Sequence, residues 1–152
     1  MSGDPDTMSD DTTPEKRGGQ GPTLEEQIVS ICRTTVGDGL RSVILFTEED
    51  HDILYMRRDL EKMGEAVRTV KEQFVDNERL GFDSRETYDE LMVDPDTEPD
   101  IGEYEFTIRV FSQGFISRVL VGDRGVLLTT DAIDMDAFEE MAIALRRLLA
   151  DA

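Results

Sequence analysis

Catalysis is most often built from cysteine and histidine, and this chain has one of each, Cys32 and His51. A thiol nucleophile would need the imidazole as its base. Cys32 falls on the apolar periodicity of an expected helix and His51 in a polar turn, so their spacing does not argue for a catalytic pair. Zinc, haem and iron-sulfur centres need several soft ligands, which one Cys and one His do not supply. Residues 94–100 (DPDTEPD) alternate carboxylates as a calcium loop does, and Glu105 stands twelfth from Asp94. Pro99, however, occupies the place of the required glycine, and a strand pattern follows where a helix is needed. A solvated acidic loop is the expectation. No phosphate-cradling glycine motif or nucleophile elbow occurs, and Gly122-Asp123-Arg124-Gly125 reads as a hairpin turn. No catalytic residue, metal site or cofactor is expected, and the chain is not expected to be an enzyme.

The residues best suited to recognition are basic and aromatic. Arg41, Tyr55, Arg57 and Arg58 approach one another if their segments pair as neighbouring strands. Two guanidinium groups on an acidic protein can grip a carboxylate or phosphate of a partner. These four are the expected partner-binding residues. In the competing arrangement the arginines pair internally with Asp50, Asp52 and Asp59.

Those residues sit in a chain of 152 residues with a formal net charge of -19 and a pI near 4.2. The acids are 19 Asp and 16 Glu; the bases are 13 Arg and only 3 Lys, at Lys16, Lys62 and Lys71. Dense short carboxylates with few long apolar lysine stems suit a protein that stays hydrated in molar salt. At about 1 M ionic strength the Debye length falls to about 3 Å, which screens the self-repulsion. A cytoplasmic protein of an extreme halophile is expected, with a lone buried Cys consistent with a reducing compartment. No apolar run approaches a membrane span, and the acidic surface repels anionic lipid and phosphate backbones, so neither membrane nor nucleic acid is an expected partner.

Residues 1–22 carry almost no apolar side chain and are expected to form a disordered tail, leaving residues 23–152 as a single α+β domain. A helix opens at Thr23 with the capping box Thr23-Leu24-Glu25-Glu26 and carries Leu24, Ile28, Ile31 and Cys32 at helical spacing. Gly37-Asp38-Gly39 ends it. LRSVILF and ILYM read as a hairpin across a polar turn, the alternative being a helix that opens at Thr47. From Asp59 the period changes, and Leu60, Met63, Val67, Val70 and Phe74 form the expected inward stripe of a central helix, with Ala66 and Val75 off it. Ser84 could cap a short helix through Leu91 and Met92. Alternation at Tyr104, Phe106, Ile108 and Val110 opens a three-stranded meander. A C-terminal helix follows, capped by Asp134 or Asp136 and buried along Phe138, Met141, Ala142, Leu145, Leu148 and Leu149.

The order is αββαβββα, which predicts a five-stranded antiparallel sheet with helices on both faces, the terminal helices on one and the central helix on the other. This order resembles the roadblock and longin-like (profilin-like) modules. That resemblance implies a dimeric scaffold or regulator of the kind that serves small GTPases, motors and signalling complexes. LRSVILFTEEDHDILYMRRDLEKM is similar to a family of small acidic haloarchaeal proteins of unknown function, matching at Leu40, Arg41, Ser42, Val43, Asp50, Leu54, Tyr55, Arg57, Asp59 and Leu60. No activity is implied by that second likeness.

The expected function is a noncatalytic protein-interaction or regulatory module. Three helices cover both faces of a small sheet incompletely, so apolar surface should remain at an edge strand or beside the central helix, and a homodimer through one of them is expected. The alternative is a small-molecule-sensing domain with its pocket between the sheet and the central helix.

Overall fold

The computed structural model describes residues 21–91 and 102–152. The expected tail, apart from its last two residues, and the calcium-like loop lie outside the described residues, as does Met92. Helix α1 (Leu24–Val36) begins as its capping box requires: the Glu26 amide donates to Thr23 Oγ1 (3.1 Å) and the Thr23 amide to Glu26 Oε1 (2.8 Å). It leaves through Gly37, whose φ of 71° suits a residue without a Cβ, and a single 3-10 turn. Strands β1 (Leu40–Phe46) and β2 (His51–Met56) then pair antiparallel, as the hairpin reading predicts. The turn between them is held by the Thr47 hydroxyl, which accepts from the amides of Glu49 and Asp50.

The second half supplies α2 (Arg58–Glu61), α3 (Glu65–Glu78), α4 (Leu80–Leu91), β3 (Thr107–Phe111), β4 (Gly114–Val121), β5 (Arg124–Thr130) and α5 (Met135–Asp151). The sheet order is β2-β1-β5-β4-β3 with every neighbouring pair antiparallel. Strands β1 and β5 therefore fill the middle, although β5 is made far later in the chain.

Because successive strand residues point to opposite faces, two cores form. Ile28, Cys32, Val43, Val119, Val126, Leu128, Phe138, Met141 and Leu145 pack under α1 and α5. On the other face Ile44, Phe46, Ile116, Leu120 and Leu127 meet Val75 of α3 and Phe82 of α4. The Phe46 ring lies edge-on to Phe82 at 5.7 Å. It crosses the strand at Gly125, where any Cβ would collide with the ring.

The central helix departs from its expected stripe. It is broken into α2 and α3, and Gly64 at φ 70° sits between them. That glycine resets the helical phase: Leu60 stays buried, but Met63 is 63% and Val70 43% exposed. The buried face of α3 is instead Lys71, Val75 and Glu78, spaced four and three apart. Apolar spacing missed it because two of those three positions are charged. Strand β3 also starts three residues after Tyr104; Phe106 precedes the strand and packs its ring against Phe138 at 4.7 Å.

Candidate functional site

The four residues singled out for recognition come from one end of the β1-β2 hairpin. The Arg57 amide donates to the Arg41 carbonyl (2.8 Å), which puts the two arginines side by side. Asp131, held just past β5 by the hydrogen bond its amide donates to the Gly39 carbonyl, stands between them. Its carboxylate takes Arg57 Nη1 at 2.6 Å on one oxygen and Arg41 Nη1 at 3.0 Å on the other. Arg57 also grips Asp59 with Nε (2.8 Å) and Nη2 (3.1 Å) and donates to the Asp38 carbonyl. The hydrogen bonds it donates to Asp59 and then to Asp131 hold the Arg57 guanidinium more firmly protonated than usual. In return Arg57 lowers the Asp59 carboxyl, and Arg57 and then Arg41 lower that of Asp131.

Tyr55 lies under a different cation, with the Arg33 guanidinium 5.1 Å from its ring centre. Arg33, Asp38, Tyr55 and Arg57 line a cleft of about 420 Å³. Arg58 projects into solvent with no ion pair among the described residues. Thus Arg41 and Arg57 are brought together, Tyr55 joins Arg57 at the cleft, and Arg58 stands at the rim. Of the aspartates considered as internal partners, Asp59 is used; Asp131 was not among them. Its approach depends on β5 pairing with β1, for which the sequence carries no local signal.

A second polar system lies on the α3 face. The Lys71 side chain enters between helix and sheet and is only 5% exposed. Its ammonium donates to Thr129 Oγ1 at 3.3 Å, and the Thr129 hydroxyl is in turn 2.6 Å from Ser42 Oγ. The Phe74 ring centre is 5.4 Å from Nζ. Burial, and secondarily the Arg41 charge, push the Lys71 ammonium down to about 8. Arg41, Lys71, Phe74, Phe111, Gln113 and Thr129 contribute to the wall of a pocket of about 290 Å³. Among the described residues its only charged lining groups are the two cations.

A third system is structural. Glu78, 2% exposed, accepts from Arg109 Nε (2.6 Å) and from Arg118 Nη1 (3.0 Å). Arg118 Nη2 also reaches Thr107 Oγ1 and the Tyr104 hydroxyl. The guanidinium fits only because residue 81 is glycine: a Cβ there would land on it. This network clamps the end of α3 to β3 and β4. Two arginines around one buried carboxylate satisfy a charge that would otherwise be prohibitive inside the fold.

Cys32 is fully buried, and burial raises its thiol to about 12, while His51 lies on β2. A thiol so raised is a poor nucleophile. Among the described residues no group of three His, Cys, Asp or Glu is arranged to hold a metal ion, and no helix is long and apolar enough to cross a membrane. Among the described residues the outer edge of β3 carries no neighbouring strand, and Val110 and Phe111 there are 73% and 54% exposed.

The fold has a counterpart among solved structures. The gliding protein mglB from Thermus thermophilus superposes with a TM-score of 0.51 at 12% identity, over 91% of this chain and 100% of that one. At that identity the likeness bears on fold alone, and the fold is of the roadblock and longin-like kind. A search of curated proteins finds no match. A family model described as a domain of unknown function, DUF7522, matches residues 26–150, and the chain belongs to that family.

Proposed function

We propose that the protein is a noncatalytic interaction or regulatory module that works as a homodimer in the cytosol of a halophile. The observation that carries this reading is the edge of β3, which has no neighbouring strand among the described residues and carries the exposed side chains of Val110 and Phe111. An uncovered edge with apolar side chains is a template for pairing with another strand, and a second copy offers the same edge in antiparallel register. The roadblock-like fold agrees with such a role.

Arg41, Tyr55, Arg57 and Arg58 would then form the contact for an acidic partner, at the opposite side of the sheet from the β3 edge. Arg57 is already committed to Asp59 and Asp131, so Arg58, without an ion pair among the described residues, would make the new contact. Sedimentation equilibrium in about 2 M KCl, where surface charge is screened, tests the dimer. The mass should be about twice 17.2 kDa and return to the monomer value in Val110→Lys, which adds charge to the edge. A monomer across the whole concentration range would overturn the reading.

A further inference from the structure

We propose that the pocket between α3 and the sheet binds a small organic monocarboxylate, its head drawn to the Lys71 ammonium and its apolar body lying between Phe74 and Phe111. Lys71 is buried to 5% exposure, and the partners of its ammonium among the described residues are one hydroxyl, on Thr129, and one aromatic face, on Phe74. A buried charge normally has an opposite charge beside it, and none of the described carboxylates lines this pocket.

Charge balance fixes the class of ligand. Arg57 is matched by Asp59 and Asp131, and Arg41 shares Asp131. Among the described residues Lys71, Arg41 and Arg57 against those two carboxylates leave one positive charge, which favours a monoanion. The Arg41 Nε and Nη2 groups make no hydrogen bond among the described residues and can add a second donor to a carboxylate head. The volume of about 290 Å³ is near the small end of ligand pockets, about 300 Å³. Phe74, Phe111, Phe115 and Ile116 give the wall an apolar side beside the polar Gln113 and Thr129, which favours an organic body over a bare inorganic ion. The Thr129 hydroxyl, placed by Ser42, orients the ammonium toward the head. The groups that hold the head, Lys71, Arg41 and Thr129, lie off β3, and of the pocket wall only Phe111 belongs to the proposed dimer edge.

Titration calorimetry of the dialysed full chain at fixed KCl, with sodium benzoate and butyrate against benzamide and inorganic phosphate, tests it. Benzoate should bind one per chain, and benzamide, the same shape without charge, at least about tenfold more weakly. Lys71→Met should weaken benzoate by at least about tenfold with the fold retained by circular dichroism. Thr129→Val, which keeps the ammonium but not the hydroxyl, is the second variant and should weaken benzoate severalfold. Val110→Lys should bind benzoate as the parent does, whatever its oligomeric state. Equal binding of benzoate and benzamide, benzoate binding unchanged in Lys71→Met, tighter binding of phosphate than of benzoate, or no saturable binding of either carboxylate up to about 10 mM would each overturn the proposal.

Discussion

Replacing Lys71 by methionine should make the ligand-free protein more stable, against the usual direction for a change at a buried position. The side chain is 5% exposed, and its ammonium is pushed from 10.5 to about 8, first by burial and then by Arg41. At about 1.4 kcal/mol per tenfold change in proton affinity, keeping that ammonium charged inside the fold near neutral pH costs about 3 kcal/mol. Methionine has a similar length and no charge, but it forfeits the Thr129 hydrogen bond and the contact with the Phe74 face, together worth about 1 to 2 kcal/mol. The net gain is about 1 to 2 kcal/mol, which for a domain of this size raises the melting midpoint by roughly 3 to 8 °C.

The pH dependence carries a definite sign. Between about 8 and 10.5 the unfolded chain holds a proton on Lys71 that the folded chain has released. Stability of the parent therefore rises with pH across that window. Arg41, the other charged group lining the pocket, keeps its charge throughout. Thermal melts of dialysed parent and Lys71→Met at about pH 7 and about pH 10 should show the variant ahead at the lower pH and the gap closing at the higher. A variant less stable at the lower pH, or a gap that does not change with pH, would refute the reasoning.

Three further outcomes follow from the same structure. Glu78→Gln leaves Arg109 and Arg118 without their shared carboxylate and should cost about 3 to 5 kcal/mol in chemical denaturation. Gly81→Ala, whose methyl would occupy the position of the Arg118 guanidinium, should cost at least about 2 kcal/mol, and much less when combined with Arg118→Ala. The melting midpoint should rise between about 0.1 and 2 M KCl as the charge of -19 is screened; a flat response would sink the halophile reading.

What the sequence displayed was whatever depends on neighbours along the chain. The capping box at Thr23, the β1-β2 hairpin, the buried stripe of α5 and the three-stranded meander all rest on short-range patterns, and all are present. From their order alone came a five-stranded antiparallel sheet with helices on both faces. What stayed hidden depends on contacts across the sheet. Lys71 and Glu78 look like solvated charges on a helix, and only Thr129 on β5 and Arg118 on β4 give them partners. Asp131 looks like one more acid in a chain of 35 until the pairing of Leu40 with Thr130 sets it between Arg41 and Arg57. Gly64 is the one local signal that apolar spacing overlooks: a glycine inside an apolar helical repeat can shift its phase, and here it turns Met63 and Val70 outward.

The middle of the sheet joins β1 to β5, segments 40–46 and 124–130, and this sets a timetable for the chain as it is made. At a synthesis rate of about 5 to 20 residues per second, β1 waits roughly 4 to 16 seconds for β5 to be made. During that interval Val43, Ile44 and Phe46, later among the most deeply buried side chains, have β2 as their one strand neighbour and lack β5. A two-stranded hairpin is at best marginally stable alone in water, so β1 and β2 complete their sheet only when the C-terminal meander, whose hairpins close over short turns, has been made. Dense acidic charge on the early segments, with seven carboxylates between Glu48 and Glu65, holds water around that half of the chain while it waits.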